Sequence, residues 1–422
     1  MVIILAKLIS RILLSTLLAG ALSSVSLTAP VPDLLAAPAS SNAKAEKITA
    51  SSATSVRKAT ASLRSAAAKT VDRQPVSKEQ AARADKNAYR FTAELLQSQP
   101  AGQNLVFSPY SLQQALNLIE ANTRDSRALE ELAPYADQTL TTEKLRHTKT
   151  GGLILLDKRL APHYQKQQRG DLKLVQYPGE ALAEKIAFQE RILGSVIDEE
   201  PPQGHLNFLT AAHYFAEWAV KFDKKLTQSR PFTTETDQLV QVPTMKKHFE
   251  HEIGKITPDY ELARVSAKAG AAVYFIKPLK KGRSLAGELP QIISGVEKYQ
   301  GTIHNIDLEV PKISLKQKSD LRNLLRTLGL KSFFNGNLTF EPITGDAPYV
   351  LASASQTATL DVNEDYAEGK ALTEIGFRLT SAGMIEEVHY LKMDQPYFIV
   401  IKDQTQDGVN RVVFTAWVAN PK

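Results

Sequence analysis

The sequence contains no cysteine among its 422 residues. Disulfide bonds, thiol catalysis, cysteine metal sites and a lipid anchor on an N-terminal cysteine are therefore excluded. Beyond its N-terminal region the chain also lacks an apolar run long enough to cross a bilayer. The net charge of +6 is mildly basic, so it permits weak attraction to anionic polymers without requiring it.

The usual sequence motifs of enzymes and nucleotide-binding proteins are missing as well. There is no Gly-x-Ser-x-Gly elbow, no phosphate-binding Walker loop and no Gly-x-Gly-x-x-Gly. His248 and His251 lie close to two glutamates, but a metal site needs further ligands, so we expect surface histidines, no metal and no cofactor. The basic residues are too dispersed for specific nucleic-acid binding. We predict that the protein is not an enzyme.

The N-terminus has the pattern of an export signal. Lys7 and Arg11 precede the apolar run from Ile12 to Leu22, which is too short to span a membrane, and small residues follow it. A short membrane anchor is the alternative. We predict a signal peptide over residues 1–29 and a linker over 30–76, rich in Ala, Ser, Thr and Lys, that is disordered or a frayed helix. The mature protein is expected in the periplasm or outside the cell.

A single folded domain is predicted over residues 77–422. Ser77 and Gln80 have the spacing of a capping box, and Ser108 with Pro109 is typical of a helix start after a strand at Leu105 to Phe107. Runs of β-branched and aromatic residues dominate the C-terminal half, and one helix, over residues 317–334, interrupts them. Helices first and strands later indicate an α+β fold with largely antiparallel sheets.

Residues 144–173 form a locally basic segment, with eight Lys or Arg residues against two Asp residues. A solvated face explains such a segment most simply, and weak binding of a polyanion is the alternative.

The stretch from Asp361 to Met393 is unusual because it carries half of a strand pattern without the apolar residues of a buried strand. Small residues occupy alternate positions from 367 to 373, with charged or larger residues between them. Side chains on a strand point alternately to opposite faces, so one face of this stretch is small and the other mostly charged. The small positions are Ala367, Gly369, Ala371 and Thr373, and the intervening ones are Glu368, Lys370, Leu372 and Glu374.

Several motifs, in order along residues 85–422, resemble those of the serpins, and we expect an exported bacterial-type member of that family. The motifs on which the resemblance rests are "NLVFSPYSLQQAL", "LTAAHYFAEWAVKFDKKLTQSRPFTT", "VQVPTMKKHFEH", "IDLEVPKISLKQKSDLRNLLRTLGLKSFF" and "QPYFIVIKDQTQDGVNRVVFTAWVANPK". The resemblance implies three mainly antiparallel β-sheets, about eight surrounding helices and an exposed reactive loop. It also implies a monomer that acts as a suicide-substrate inhibitor of serine, or alternatively cysteine, proteases.

In this family the target protease attacks the loop, and the cleaved loop then enters the main sheet as an extra strand. The resemblance places the hinge of that loop at Glu364, Tyr366, Ala367, Glu368, Gly369, Lys370, Ala371, Leu372 and Thr373. Where the family usually has a hinge glycine, this chain has Tyr366. Counting from Glu364 places the reactive bond at Thr380–Ser381. Arg378, suited to a trypsin-like pocket, and Leu379 or Met384, suited to a chymotrypsin-like one, are alternatives.

The resemblance also marks a gate region where the main sheet opens. Its members are Ser108, Ser111, Ala211, Trp218 and Gln356. The family's Asn and His fall at Ala211 and Gln356, so the usual hydrogen-bonded pair is expected to be missing. A non-inhibitory serpin-like binding or carrier protein is therefore the alternative function.

Overall fold

The computed structural model describes residues 77–137, 143–280, 282–298, 304–365 and 388–422. The predicted signal peptide and linker lie outside these ranges. The α-helices of the described residues are α1 Lys78–Ser98, α2 Pro109–Glu120, α3 Ser126–Leu132, α4 Gly179–Leu193, α5 Leu289–Glu297, α6 Arg322–Thr327 and α7 Glu341–Thr344. Short 3-10 turns cover Lys158–His163, Lys224–Leu226, Lys268–Gly270, Gly282–Glu288 and Lys331–Phe334.

Sixteen strands accompany these helices in the described part of the chain. They are β1 Leu105–Phe107, β2 Thr148–Asp157, β3 Leu172–Val175, β4 Leu206–Tyr214, β5 Gln228–Thr233, β6 Leu239–Ile256, β7 Tyr260–Ser266, β8 Ala272–Pro278, β9 His304–Pro311, β10 Ile313–Asp320, β11 Leu338–Phe340, β12 Gly345–Tyr349, β13 Ser355–Val362, β14 Val388–Lys392, β15 Tyr397–Gln404 and β16 Asn410–Val418.

The largest sheet has the order β1-β16-β15-β8-β7-β6-β9-β14, and β5 also pairs with β6. The long strand β6 joins two parts of it, because its first half pairs with β5 and β9 and its last residues pair with β7. A three-stranded sheet, β3-β2-β4, and a two-stranded sheet, β10-β13, stand apart, and β11 pairs with β12. Only β2–β3 and β9–β14 are parallel among the described strand pairs, so the prediction of largely antiparallel sheets is confirmed.

The predicted starts of the first two helices are confirmed. The Ser77 hydroxyl accepts from the backbone N–H of Gln80, and the Gln80 side chain accepts in return from the N–H of Ser77, which completes the capping box of α1. At α2 the Ser108 hydroxyl accepts from the N–H of Ser111, and Pro109 occupies the first helical position. Both caps satisfy backbone donors that a helix start leaves without a partner.

The predicted helix over residues 317–334 is wrong at both ends, since α6 ends at Thr327 and Lys331–Phe334 form a separate 3-10 turn. Gln317–Asp320 continue strand β10, which pairs in register with β13, for example Lys318 with Thr357. The helical spacing of the leucines is real, but α6 begins only at Arg322. The four leucines that carried the prediction are all buried: Leu321, Leu324, Leu325 and Leu328. Eight ladder positions along β13 outweigh the helix propensity of a short polar stretch.

The sheets divide the buried apolar side chains into separate clusters. One cluster joins α1, α2 and α5 to one face of β15 and β16, and a second fills the space between the sheets. A third, smaller cluster packs α4 onto β2 and β3. The second cluster contains Trp218, Phe222 and Phe232, which carry part of the family resemblance. Helix α4 therefore packs against the three-stranded sheet, and this packing positions β4.

Candidate functional site: an open cleft between two part-sheets

Strands β4 and β13 face each other across a cleft and are each paired on one edge. Among the described residues β4 pairs with β2, and β13 pairs with β10, but β4 and β13 share no ladder. Every residue of both strands lines a single cavity of about 1510 Å³. Two neighbouring strand edges that have no ladder to each other can both pair with a further strand placed between them.

The two strands run in the same direction along the cleft. Near their starts, a Cβ built on Gly204 would lie 3.3 Å from the Cβ of Ala352. Beyond their ends, the indole Nε1 of Trp218 donates to the carbonyl oxygen of Asn363 over 2.8 Å. A chain that turns back after residue 363 would therefore descend antiparallel to both strands, which is the geometry that closes two antiparallel ladders at once.

Strand β4 is incompletely covered although it is rich in apolar residues. None of its nine residues is buried, and Phe208, Leu209 and Ala212 are all partly exposed. The facing strand β13 buries Ala358, Leu360 and Val362. A strand inside a sheet normally has a neighbouring strand on each side, and its apolar side chains are then buried. In the described part of the chain β4 has a neighbour on one side only, which leaves this surface open.

Two of the predicted gate residues, Ser108 and Gln356, meet at the start of α2, whereas Trp218 lies beyond the ends of the two cleft strands. The N–H of Ser108 donates to Oε1 of Gln356 over 2.6 Å, and Nε2 of Gln356 donates to the carbonyl oxygen of Ser108 over 3.0 Å. Ser108 is buried, and its hydroxyl donates to the carbonyl oxygen of Val413 over 2.8 Å. Gln356 thus ties β13 to the helix through both of its amide atoms.

On the other side of the cleft, the neighbour of a predicted residue makes the contact. Ala211 has no polar side-chain atom, and it lies opposite Gly151 in the β2–β4 ladder. Thr210 donates from Oγ1 to the carbonyl oxygen of Ser111 over 2.8 Å. The start of α2 therefore holds both cleft strands by separate hydrogen bonds. Sequence reasoning missed Thr210, because its role depends on which face of β4 meets α2.

At the far end of the cleft, the chain that leaves β13 is fixed by Glu364. This side chain is buried, accepts from the Thr227 hydroxyl over 2.7 Å, and lies 2.8 Å from Nζ of Lys312. The carbonyl oxygen of Glu364 accepts from the N–H of Phe222 over 3.2 Å. Trp218 is buried next to this point, with its ring 5.7 Å from that of Phe222.

The charge state of Glu364 follows from these contacts. Burial alone would raise its pKa, but the hydrogen bonds from Lys312 and Thr227 outweigh burial, so the pKa lies below its ordinary value of 4.5. The carboxylate is therefore ionised at neutral pH. The neighbouring Asp365 pairs with Lys224, so two acidic residues in succession are held by cations at the base of the predicted hinge.

A segment between α4 and β4, residues 194–205, reaches across the opposite end of the cleft, and we call it the strap. Asp198 in the strap lies 3.1 Å from Nζ of Lys185 on α4 and 3.4 Å from Nζ of Lys318 on β10. It also accepts from the Thr357 hydroxyl of β13 over 3.0 Å. Glu200 lies 2.6 Å from Nζ of Lys318. The strap therefore joins the α4 side of the cleft to the β10–β13 side.

Asp198 is the centre of the strap. Burial would raise its pKa, but the backbone N–H of Glu200 and the Lys185 ammonium lower it to about 2. Lys185 also donates to the carbonyl oxygen of Glu200 over 2.8 Å. Sequence reasoning missed the strap, since it joins residues from four separated segments and no short motif marks it.

The remaining residues predicted for the reactive loop lie outside the described residues. They are the hinge positions Tyr366, Ala367, Glu368, Gly369, Lys370, Ala371, Leu372 and Thr373, the reactive bond Thr380–Ser381, and the alternatives Arg378, Leu379 and Met384. Of the predicted hinge, the structure places Glu364. The loop leaves the described fold at residue 365 and returns at β14, which pairs in parallel with β9.

Several basic side chains of the segment 144–173 have partners close by in the fold. Lys158 lies 2.6 Å from Glu180, Arg159 pairs with Asp157, and Lys149 contacts the carbonyl oxygen of Arg191. The guanidinium of Arg146 donates to the carbonyl oxygens of Thr405, Ala269 and Gln406. These four basic side chains therefore have local partners, and weak polyanion binding by the segment stays a prediction.

The described residues contain no group of His, Asp and Glu side chains arranged to hold a metal ion. His248 is instead half-exposed on the sheet surface, with Nδ1 at 2.7 Å from a carboxylate oxygen of Asp307. Within the same residues, no helix combines the length and the apolar character needed to cross a membrane.

The fold with its divided sheet is that of serpin-like α+β proteins. A crystal structure of human glycosylated kallistatin matches 82% of this chain and 98% of its own, with a TM-score of 0.66 and 20% identity. The Arabidopsis AtSerpin1 structure, described as the native stressed conformation, gives a TM-score of 0.67 at 18% identity. The match covers 82% of this chain and 100% of the AtSerpin1 chain. The structure of human thyroxine-binding globulin with its ligand gives a TM-score of 0.65 at 18% identity. The match covers 82% of this chain and 100% of the globulin chain.

The family model "Serpin (serine protease inhibitor)" matches residues 190–421, more than half of the chain. The chain belongs to the serpin family. Serpin A3-2 of Bos taurus is 28% identical over 231 residues, and the match spans about half the length of each protein, 52% in both cases. A serine proteinase inhibitor of Cavia porcellus is 24% identical over 349 residues, covering 74% of this chain and 83% of its own. These relatives are mammalian and do not support the bacterial-type expectation.

Proposed function

We propose that this serpin is a suicide-substrate inhibitor of serine-type endopeptidases that acts by inserting its cleaved loop between β4 and β13. The observation that carries the proposal is the cleft itself, whose two walls are strand edges that share no ladder within the described ranges. The chain that would supply the missing strand starts next to the cleft, just after Glu364 and Asp365. Cysteine proteases are a second class of possible target.

The length and pattern of the loop support insertion. Residues 367–375 number nine, which is the length of β4. Their alternate small side chains can enter between packed strands without overfilling the core. About ten new ladder hydrogen bonds at roughly 1 kcal/mol each, together with burial of the open β4 surface, would stabilise the inserted form. The uninserted form is then a kinetically trapped state.

The loop would present the bond Thr380–Ser381 to the protease serine, with Arg378 or Leu379 as alternative positions. Attack by the serine forms an acyl-enzyme and frees the new amino terminus at residue 381. Insertion then carries the tethered acyl group along the cleft and away from the point where the protease first bound. This protein would contribute no catalytic residue of its own, since the chemistry belongs to the protease.

Two features favour the alternative of a non-inhibitory binding or carrier protein. Tyr366 stands where the family usually has a glycine, and thyroxine-binding globulin, described in complex with thyroxine, shares the fold. The gate contact made by Gln356 favours inhibition, because it supplies hydrogen bonds between β13 and α2 where the sequence predicted a missing pair.

We further propose export through the signal peptide 1–29, a linker over 30–76, one domain over 77–422 and a monomeric state. An export signal would place the protein where extracellular or periplasmic proteases are its targets. N-terminal sequencing of the secreted protein tests the cleavage region directly.

A protease panel tests the function. The purified protein is mixed with trypsin-like, chymotrypsin-like and cysteine proteases, and the products are separated on a denaturing gel. A covalent complex that survives SDS is expected with at least one serine protease, and mass spectrometry of the released C-terminal peptide identifies the bond. Cleavage in the loop without such a complex, for every protease tested, would favour the carrier function.

A further inference from the structure

A small pocket lies at one end of the three-stranded sheet, where β2 begins and β4 ends. Its volume is about 330 Å³. Four of its six lining residues carry cationic or titratable nitrogen atoms, and none carries a carboxylate. The lining is Arg146, His147, Thr148, Lys149, His213 and Phe215, of which the last two also border the cleft.

The pairing of β2 with β4 builds this pocket. Lys149 lies directly opposite His213, and the N–H of Phe215 donates to the carbonyl oxygen of His147 over 3.0 Å. Directly opposite residues of two paired strands share a face, so Lys149 and His213 lie on one surface, and His147, which precedes β2, lines the same pocket. Arg146 is held beside them by hydrogen bonds of 3.1 and 3.3 Å to the carbonyl oxygens of Thr405 and Ala269.

The positive groups of the pocket lack a counter-ion among its lining residues. Burial and the positive charge of Lys149 both lower the pKa of His213, so the His213 imidazole is predominantly neutral at pH 7 and would bind an anion as a hydrogen-bond donor. Nε2 of His147 is shielded from solvent and has no hydrogen-bond partner among the described residues. The carboxylate of Asp403, which borders this region, is already engaged by the N–H of His147 at 2.9 Å and the Thr148 hydroxyl at 2.7 Å.

We propose that this pocket binds a tetrahedral oxyanion, a phosphate or sulfate group, between the side chains of Arg146, His147, Lys149 and His213. Such a group supplies a hydrogen-bond acceptor for Nε2 of His147 and for the neutral ring of His213. It also supplies a negative charge beside Arg146 and Lys149, whose other partners are carbonyl oxygens. The site takes only two basic residues from the segment 144–173, Arg146 and Lys149, and adds His213 from a distant part of the sequence. It does not depend on the proposed inhibitory function.

Isothermal titration of the intact protein with inorganic phosphate, and separately with sulfate, tests the site. Lys149→Gln and His213→Gln each remove one lining group, while Lys158→Gln removes the same charge from the basic segment outside the pocket. We expect both pocket variants to weaken phosphate binding about tenfold and Lys158→Gln to change it less than about twofold. Phosphate should also shift the NMR signals of the His147 and His213 rings.

The source of the oxyanion is tested in parallel with dextran sulfate, a sulfated polymer. If the pocket recognises the group wherever it is carried, Lys149→Gln will weaken the binding of the polymer and of free phosphate alike. Three results would overturn the proposal: no binding of either free ion at millimolar concentration, binding of the polymer alone, or an equal loss in Lys149→Gln and Lys158→Gln. The protease panel is unaffected by any of them.

Discussion

At the residue scale, the contact between Lys312 and Glu364 fixes the point from which the loop leaves the fold. Glu364 is 5% exposed and Lys312 is 39% exposed in their side chains. Lys312→Met would leave the buried carboxylate with the Thr227 hydroxyl as its main partner. Because Lys312 is partly in solvent, we expect a cost of about 1–2 kcal/mol, less than for a fully buried pair. A lower midpoint in thermal unfolding measures it.

A control for this prediction is Lys316→Met, which removes a lysine from the exposed face of β10. The control should leave the unfolding midpoint within about one degree of the native value, as is usual for surface substitutions. Equal midpoints for the two variants would show that Lys312 does not stabilise the exit of the loop.

Glu364 also predicts a dependence on pH. Its pKa in the folded state is below the ordinary value of 4.5, so the unfolded state binds the proton more readily. The stabilisation is therefore fully present above about pH 4.5 and is lost as the pH falls through the lower folded pKa. Glu364→Gln should flatten this part of the stability profile, which unfolding midpoints measured from pH 7 down to pH 3 would reveal. A profile as steep as that of the native protein would contradict the assignment.

Gln356 is the residue that most clearly fixes the gate. Its amide satisfies both the N–H and the carbonyl oxygen of the buried Ser108. Gln356→Ala would leave both groups without these bonds, at a cost of about 1–3 kcal/mol. We expect a lower unfolding midpoint and faster spontaneous conversion to a loop-inserted form on warming, followed by native gel electrophoresis. Thr359→Ala on the same strand serves as the control, and it should convert at the native rate.

At the element scale, the strap joins the two sides of the cleft through charges. Lys318 on β10 lies within 3.4 Å of Asp198 and within 2.6 Å of Glu200. If the sides must separate to admit a strand, Lys318→Gln lowers the barrier by removing both ion pairs. A loss of about 1 kcal/mol from the barrier gives about a fivefold faster insertion.

A synthetic peptide with the sequence of residues 367–378 provides the measurement. Its rate of incorporation is followed by the appearance of a species with a higher unfolding midpoint. Lys316→Gln is the matched control, since Lys316 lies two residues away on β10 and makes no ion pair with a described residue. If both variants take up the peptide at the native rate, the strap does not limit insertion.

At the scale of the whole molecule, cleavage should make the protein more stable. Insertion of nine residues adds about ten hydrogen bonds and covers β4, and we expect the unfolding midpoint to rise by at least about 15 °C. Limited proteolysis in the predicted loop, followed by differential scanning calorimetry, measures this. For an ordinary domain a nick leaves the midpoint unchanged or lower, so a rise of this size is specific to insertion.

The sequence alone was enough to predict the elements with strong local signals. The cap at Ser77, the strand before Ser108 and the buried leucines from Leu321 to Leu328 are all confirmed. Pairing overrode local propensity at Gln317–Asp320, where a long-range ladder to β13 formed a strand. The family and the fold were predictable because several motifs appear in a fixed order.

The cleft contacts were less predictable, because they join residues that are far apart in sequence. Gln356 was predicted only as a departure from the family pattern, and its two bonds to Ser108 follow from the position of α2. Thr210 and Asp198 carry no sequence signal that separates them from other polar residues. Their roles follow from how β4 and the strap lie against neighbouring elements.

Amide hydrogen exchange along β4 and β13, before and after cleavage of the loop, tests the central claim most directly. In the intact protein, the amides of these strands that face the cleft have no ladder partner among the described residues and should exchange quickly, while those bonded to β2 and β10 are protected. After cleavage, we predict slow exchange at the cleft-facing amides of both strands. Unchanged fast exchange there in the cleaved protein would contradict insertion.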